Sequence, residues 1–297
     1  MIESLFTWLS HFLNWRSCLI IFVLMNLKSI PLSWHLRALY HFLRHHPGKP
    51  YSNASPVTSS DVKPQSTPAA TKLLFGTVTI TTQSPMLEAD FNWHKSNSTY
   101  FSDLDISRLV LMTRVYFGGF SVISRELASE GHTGRMSFTL GSVYCSFRRP
   151  LRPYDSYAVS SKVLAWDRKW LYIISWFERK GSSGVIATAV SKYVCKKGRF
   201  TVPPERLLRA SGLLPSKGHF ARSDVNKKSG ERTTGARTTE EPQCEKGGER
   251  VASVISKDEE QWESEIETER VRGLESVKSF IDLDDISFSE VAKILQS

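Results

Sequence analysis

The stretch that decides the fold is Leu87-Glu-Ala-Asp-Phe-Asn-Trp-His-Lys-Ser-Asn-Ser-Thr-Tyr-Phe-Ser-Asp-Leu-Asp-Ile-Ser-Arg108. Its first half has the composition of a loop, and its second half opens a long apolar helix with Asn97 as the predicted cap. Asp90 stands in the loop, and His94 follows four residues later. Because the first amides of a helix have no partner within it, they can bind a developing negative charge. This arrangement suits attack on a carbonyl carbon.

The candidate catalytic residues are Asp90, His94 and Asn97. The carboxylate of Asp90 could activate water or attack a carbonyl itself, although an aspartate in a loop before a helix is usually a turn residue. His94 could orient a substrate or relay a proton, or it could bond only to the backbone. Asn97 and Ser98 together form the predicted cap, whose neighbouring amides would polarise the carbonyl.

Three blocks of sequence carry a resemblance to a known family. The first is the spacing of Asp90, His94, Asn97, Tyr100, Asp105 and Arg108, followed by Leu-Val-Leu-Met-Thr-Arg114. The second is Trp166-Asp-Arg-Lys-Trp170 followed by Leu-Tyr-Ile-Ile, and the third is Phe200-Thr-Val-Pro-Pro. Together they resemble the hotdog-fold acyl thioesterases, most closely thioesterase superfamily member 6 and the related thioesterase-like proteins of fungal secondary-metabolite gene clusters. The resemblance runs from Leu73 to roughly Leu214.

This resemblance implies an α+β domain in which an antiparallel sheet wraps around a long central helix, and a homodimer with active sites near the interface. It implies hydrolysis of an acyl thioester of coenzyme A or of an acyl carrier protein, with no cofactor. It also favours the functional interpretation of Asp90, as base or nucleophile. Two other functions stay open: a non-catalytic acyl-binding or scaffolding protein, and a hotdog dehydratase, although no second acid/base pair is visible.

Five further residues are candidates for substrate binding: Ser96, Ser98, Tyr100, Arg148 and Arg149. The two serines flank Asn97 at the start of the helix. The two arginines, with Arg152, stand at a strand end and could meet coenzyme A phosphates, but such clusters are common on solvated surfaces. Tyr100 is also interpreted as architectural, and so are Asp105 and Arg108, whose spacing lets them pair on one helix face.

We predict the folded domain over 72–214. A first strand spans Lys72 to Thr82, and the central helix ends near Tyr116 because Gly118-Gly119 follows. The later strand-like runs are Met136 to Arg149, Tyr157 to Trp166, Trp170 to Arg179 and Val185 to Cys195. Turns at 167–169 and 181–184 join them, and a switch of the apolar phase at Gly141 predicts a bulge. The run 170–177 is apolar on both faces, which predicts cover by the central helix on one side and a partner subunit on the other.

The N-terminal region, 1–48, is predicted to be a membrane anchor. Leu5 to Leu27 is almost wholly apolar and long enough to cross a bilayer, and basic residues follow it, which places the main domain on the cytosolic side. Pro31 to His46 is predicted to be an interfacial helix. Two alternatives stay open: a cleaved signal peptide, and an extra soluble helix pair packed on the body.

The remaining segments differ in composition from the folded domain. The stretch 49–71 is rich in Ser, Pro, Thr and Ala and is predicted to be a flexible linker. A second stretch, 215–256, is predicted to be disordered because it carries almost no large apolar residues before Val251. The acidic tail, 257–297, is predicted to be partly helical, either as a solvated charged helix with a loosely packed end or as a partner-docking segment.

Composition excludes several classes of function. The formal net charge of +9 over 297 residues is scattered and accompanies no nucleic-acid-binding motif, so we expect no nucleic-acid partner. The four cysteines are far apart and lack a Cys-x-x-Cys pair, which argues against a zinc site or a disulfide framework. No metal site is expected, and neither a Gly-x-Ser-x-Gly elbow nor a His-Glu-x-x-His helix is present.

Overall fold

A computed structural model describes residues 14–46, 68–181, 184–215 and 261–282. Its helices are α1 (Trp15–Met25), α2 (Ser33–His45), α3 (Pro68–Leu74), α4 (Asn97–Ser129), α5 (Pro204–Ala210) and α6 (261–282). Its strands are β1 (Val78–Gln83), β2 (Met136–Phe147), β3 (Ser156–Trp166), β4 (Leu171–Arg179), β5 (Val185–Lys197) and β6 (Phe200–Val202).

The strands form one antiparallel sheet in the order β1-β3-β4-β5-β2, with β6 paired to β5. The long helix α4 packs against one face of this sheet. Leu104 and Leu111 of α4 share a core with Val159, Ile173 and Phe177 of the sheet, and all five are fully buried. This arrangement confirms the predicted α+β hotdog architecture.

The hairpins and the bulge lie where the sequence predicts them. The chain turns between β3 and β4 at Asp167, whose amide donates to the Trp170 carbonyl at 2.9 Å. A second reversal joins Arg179, the last residue of β4, to Val185, the first residue of β5. The pairing of β2 with β5 shifts register between Leu140 and Ser142, which is the bulge predicted at Gly141.

The predicted end of the central helix is wrong. Helix α4 continues through Gly118-Gly119 to Ser129, where the sequence predicts a stop near Tyr116. A Cβ atom on Gly119 would lie 2.5 Å from the Ser211 amide nitrogen and 2.6 Å from the Ala210 carbonyl carbon. Glycine at 119 therefore permits close packing of the segment after α5, and the tertiary contact outweighs the weak helix propensity of glycine.

The predicted first strand is partly wrong as well. Helix α3 occupies Pro68–Leu74, which crosses the boundary predicted at 71–72, and β1 begins only at Val78. Leu74 is fully buried in the core, so a short helix covers one end of the domain. The rest of the predicted linker, 49–67, lies outside the described residues.

The N-terminal helices contact the domain but keep most of their apolar surface exposed. Phe42 of α2 meets Phe117 of α4 with ring centroids 5.3 Å apart. In α1 no residue is buried, and Ile20 and Leu24 are 59% and 58% exposed. In the part of the chain that the structure describes, α4 alone is both long and apolar enough to cross a membrane, and it is mostly buried in the core. Helix α1 is apolar but has 11 residues.

The C-terminal helix is packed more closely than the sequence predicts. Trp262, Ile266 and Val277 of α6 are buried, and the Trp262 indole donates to Thr71 Oγ1 at 2.9 Å. A Cβ atom on Gly273 would lie 2.0 Å from the Leu164 carbonyl oxygen, so only glycine allows this close approach to β3. The interpretation of this region as a solvated helix is therefore wrong over 261–282, because the apolar face of α6 covers the sheet. The stretches 216–260 and 283–297 lie outside the described residues.

Candidate active site

The loop between β1 and α4 is closed at its base by backbone hydrogen bonds. Ala89 and Lys95 form an isolated antiparallel bridge, and the Ser96 amide donates to the Glu88 carbonyl at 2.7 Å. Within the loop, the Asp90 amide donates to the His94 carbonyl at 2.8 Å. These bonds give residues 89–95, hereafter the Asp90 loop, a defined conformation immediately before the helix.

The Asp90 carboxylate is half-buried and uses one oxygen within this loop. Its Oδ1 accepts from the Asn92 amide at 2.8 Å and from the His94 amide at 3.4 Å. No described residue donates to Oδ2. Phe91 and Trp93 beside it are 92% and 64% exposed, and Trp93 has a φ of 59°, which is unusual for a bulky residue. One carboxylate oxygen of Asp90 therefore has no hydrogen-bond donor among the described residues, and it belongs to a loop with two exposed aromatic side chains.

The start of α4 differs in one detail from the prediction. Ser96 occupies the cap position and Asn97 is the first helical residue, so the prediction of Asn97 as the cap is wrong. No side chain caps the helix; the Ser96 and Ser98 hydroxyls instead bond to each other at 3.1 Å. Asn97 and Ser98 are exposed, and as the first two helical residues their amides have no partner within the helix.

Tyr100 lies in the core of the domain. Its side chain is 2% exposed and its ring packs edge-on against Phe147 and Phe177, with centroid separations of 5.0 and 4.9 Å. This packing agrees with the architectural interpretation of Tyr100, and its role in substrate binding stays a prediction. The predicted pair of Asp105 and Arg108 is confirmed, with Arg108 Nη2 2.6 Å from Asp105 Oδ1.

Arg148 and Arg149 are exposed at the end of β2. The segment that follows them runs beside the start of α4, because the Lys95 amide donates to the Leu151 carbonyl at 2.7 Å. Arg149 and Arg152 line a shallow cavity of about 220 Å³ together with Arg179. The fold thus brings this basic segment to the same end of the domain as the Asp90 loop, and contact with a phosphate stays a prediction.

Comparison with known proteins gives the family. Residues 85–210 match the family model described as the thioesterase-like superfamily. Thioesterase lcsJ of Purpureocillium lilacinum is 34% identical over 294 residues, which cover 91% of this chain and 91% of that protein. The chain belongs to the thioesterase-like superfamily. Thioesterase poxG of Penicillium oxalicum is 31% identical, over 92% of this chain and 85% of that protein. Among solved structures, the probable thioesterase YbaW of Escherichia coli is 16% identical, over 46% of this chain and 97% of that one, with a TM-score of 0.35.

This membership confirms the family expected from the three sequence blocks. Named thioesterases at 34% and 31% identity over most of the chain support the expected class of reaction, thioester hydrolysis. The matched lengths cover more than nine tenths of the chain, whereas the predicted domain of 72–214 is about half of it. Thioesterase-like relatives of this kind therefore share much of the flanking sequence as well as the domain.

A buried cluster of ionisable side chains lies at the base of the Asp90 loop of this thioesterase-like chain. The sequence did not reveal this cluster. Its members are Lys28, Arg37, Glu88, Lys95, Asp103 and Tyr157. Asp103 is fully buried on α4. Its Oδ2 lies 2.9 Å from Lys28 Nζ and 3.1 Å from Lys95 Nζ, and accepts from the Tyr157 hydroxyl at 2.5 Å. Its Oδ1 lies 3.0 Å from Arg37 Nη2.

The cluster keeps Asp103 ionised. Burial alone would raise the pKa of this carboxyl, but Lys28, Lys95 and Arg37 outweigh that effect and lower the pKa to about 2. One sequence signal could have revealed the cluster. An aspartate on the inward-facing side of the central helix needs a buried cationic partner. The partner's identity was hidden because Lys28 lies 75 residues away in sequence.

Proposed function

We propose that this chain hydrolyses an acyl thioester and that Asp90 supplies the base or the nucleophile. The observation that carries this assignment is the free Oδ2 of Asp90 within the described residues. Asp167 is a turn aspartate for comparison: its Oδ1 accepts two amide hydrogen bonds and its Oδ2 accepts from the Tyr172 hydroxyl. One carboxylate oxygen of Asp90 stabilises the turn, and the other is available to a substrate or a water molecule.

The reaction needs few groups. Asp90 takes a proton from a water molecule, the water oxygen attacks the thioester carbonyl carbon, and the carbonyl oxygen becomes an oxyanion. The Asn97 and Ser98 amides at the start of α4 stabilise that oxyanion. Collapse of the intermediate breaks the carbon–sulfur bond, the thiolate takes up the proton, and the acid leaves. In the variant mechanism Asp90 attacks directly and water then hydrolyses the mixed anhydride. His94 orients the substrate or relays the proton.

The test is the substitution Asp90→Asn. Asparagine keeps the Oδ1 acceptor, so the loop should retain its shape while the negative charge is lost. We expect kcat for thiol release to fall by at least ~100-fold with substrate binding retained. Asp167→Asn is the matched control, because it makes the same change in another turn, and it should leave kcat within about twofold.

The two competing functions are distinguishable in the same assay. Full-length protein that binds acyl thioesters without turnover, or Asp90→Asn protein with wild-type turnover, would support the acyl-binding alternative. Hydration or dehydration of a hydroxyacyl thioester without thiol release would support the dehydratase. Parallel assays with acyl-CoA and with an acyl carrier protein distinguish the two carriers. By similarity to lcsJ and poxG, we propose a fungal pathway of lipids or secondary metabolites.

We also propose a homodimer through the sheet. Strand β2 is 12 residues long and pairs with β5 along one edge, and no described strand pairs with the other edge. Leu140 and Tyr144 on β2 are 38% and 50% exposed. Long exposed edges with apolar side chains favour pairing with a second copy. The Asp90 loop is close to the end of this strand, so a partner would lie near the site.

Light scattering of the full chain in detergent tests the dimer. Tyr144→Lys should weaken it, because the substitution puts a charge on the exposed apolar edge of each copy. Ile174→Lys, on the outer face of β4, should leave it intact. A monomeric wild-type protein would contradict the dimer, and dissociation by Ile174→Lys alone would place the interface on the outer face instead.

Finally, we propose that the N-terminal segment binds a membrane and leaves the main domain on the cytosolic side. The support is the exposed apolar surface of α1 and α2, together with the absence of any acidic residue from 14–46, which suits an anionic lipid surface. Asn53-Ala-Ser and Asn97-Ser-Thr are glycosylation acceptor sequences, so a glycan on either asparagine would contradict this orientation.

A further inference from the structure

Lys28, in the predicted anchor region, lies inside the domain. Its side chain is 9% exposed, and its ammonium group has four oxygen neighbours. It donates to the Gln83 carbonyl, the Tyr157 hydroxyl and Glu88 Oε2 at 3.0 Å each, and to Asp103 Oδ2 at 2.9 Å. An ammonium group surrounded in this way is a fixed structural element rather than a surface charge.

One of these contacts reaches the base of the Asp90 loop. Glu88 directly precedes the loop, and its Oε2 accepts from both Lys28 and Lys95, so the two ends of the loop are joined through one carboxylate oxygen. Asn26 adds a second link from the same segment. Its side chain is fully buried, and its Oδ1 accepts from the Leu87 amide at 2.9 Å.

We propose that Lys28 and Asn26 are positioning residues for the Asp90 loop, and that the N-terminal helix pair is therefore part of the catalytic unit rather than a detachable anchor. The inference rests on the proposed role of Asp90. Without Lys28, Glu88 and Asp103 lose one of the two cations, Lys28 and Lys95, that they share in a buried environment. Solvation of Glu88 then pulls the loop away from its hydrogen-bonded base. The carboxylate of Asp90 then loses its fixed position in front of α4, and the chemical step slows.

The chain offers a matched control in Arg37. Arg37 donates to the other oxygen of the same Asp103 at 3.0 Å but contacts neither Glu88 nor Gln83. Lys28→Met and Arg37→Met therefore remove the same charge from the same carboxylate, and only the first breaks the link to the loop. Asn26→Ala breaks the other link without any change of charge, and it serves if Lys28→Met fails to fold.

Full-length variants in detergent are compared for turnover of a soluble short-chain acyl-CoA and for backbone hydrogen exchange. We expect Lys28→Met to lower kcat by at least ~10-fold with KM within about threefold, because only the chemical step needs the positioned carboxylate. Exchange over 86–96 should accelerate while exchange over β4 stays unchanged. Asn26→Ala should act in the same direction, and Arg37→Met should keep kcat within about twofold and leave exchange over 86–96 as in wild type.

Equal losses of kcat in Lys28→Met and Arg37→Met, or unchanged exchange over 86–96 in Lys28→Met and Asn26→Ala, would overturn the inference. Its failure is distinct from failure of the proposed function. If Asp90→Asn is inactive while Lys28→Met is fully active, only the positioning role is wrong. If Asp90→Asn is as active as wild type, the catalytic role is wrong, and the exchange data still report whether Lys28 holds the loop.

Discussion

The two helical regions that flank the domain attach to it in opposite ways. The N-terminal pair joins the body through buried ions, Lys28 and Arg37 on Asp103, while most of its apolar side chains are exposed. The C-terminal helix α6 buries Ile266 and Val277 against the body, while its ion pairs lie on the surface, such as Arg272 with Glu269.

This difference indicates the surroundings in which each region is expected to be stable. A helix with its apolar face inward and its charges outward is stable in water, because burial of apolar area supplies the binding free energy. A helix pair with its charges inward and its apolar face outward leaves a large hydrophobic surface to be covered. We therefore expect α6 to depend on its packing and α1 to depend on a lipid surface.

The largest expected effect is on membrane binding. Ile20→Lys with Leu24→Lys places two charges on one face of α1, where each costs about 3 kcal/mol at the centre of a bilayer relative to an aliphatic residue. Because both side chains are more than half exposed, the fold itself should be unaffected. Flotation with vesicles that contain anionic lipid should show loss of binding by at least ~100-fold.

Val271→Lys on α6 is the control for this pair. Val271 is 42% exposed, and its substitution should leave flotation unchanged. Recovery of the wild-type chain as a soluble species without detergent or lipid would contradict the expectation that α1 depends on a lipid surface. Flotation of the doubly substituted protein to the same extent as wild type would contradict it as well.

The smaller expected effect is on stability. Val277 of α6 is 1% exposed and packs beside Ala165 and Tyr172. Val277→Asp should lower the free energy of unfolding by about 3 kcal/mol, or release α6 from the sheet, because it places a carboxylate among apolar groups. Val271→Asp makes the same change at an exposed position and should cost less than about 0.5 kcal/mol. Equal melting temperatures for the two variants would show that α6 does not depend on this packing.

Much of the fold and part of the site could be predicted from the sequence. Strand-like apolar runs predict β2 to β5, and the phase switch at Gly141 predicts the bulge, because both are local consequences of strand geometry. The pair of Asp105 and Arg108 follows from helical spacing alone. The continuation of α4 through Gly119 could not be predicted, since the close packing of Gly119 on the backbone of Ser211 is a contact that the local sequence does not contain.

The sequence by itself determined the family, the strands β2 to β5 and the position of Asp90 before a helix, because these depend on local spacing and composition. The tertiary structure alone decided which of the predicted residues are accessible: it buried Tyr100 and left Oδ2 of Asp90 without a partner among the described residues. It also decided that Lys28 belongs to the domain. A basic residue after an apolar run has the same local pattern whether it faces lipid headgroups or a buried carboxylate, and only the fold brings Asp103 to within 2.9 Å of it.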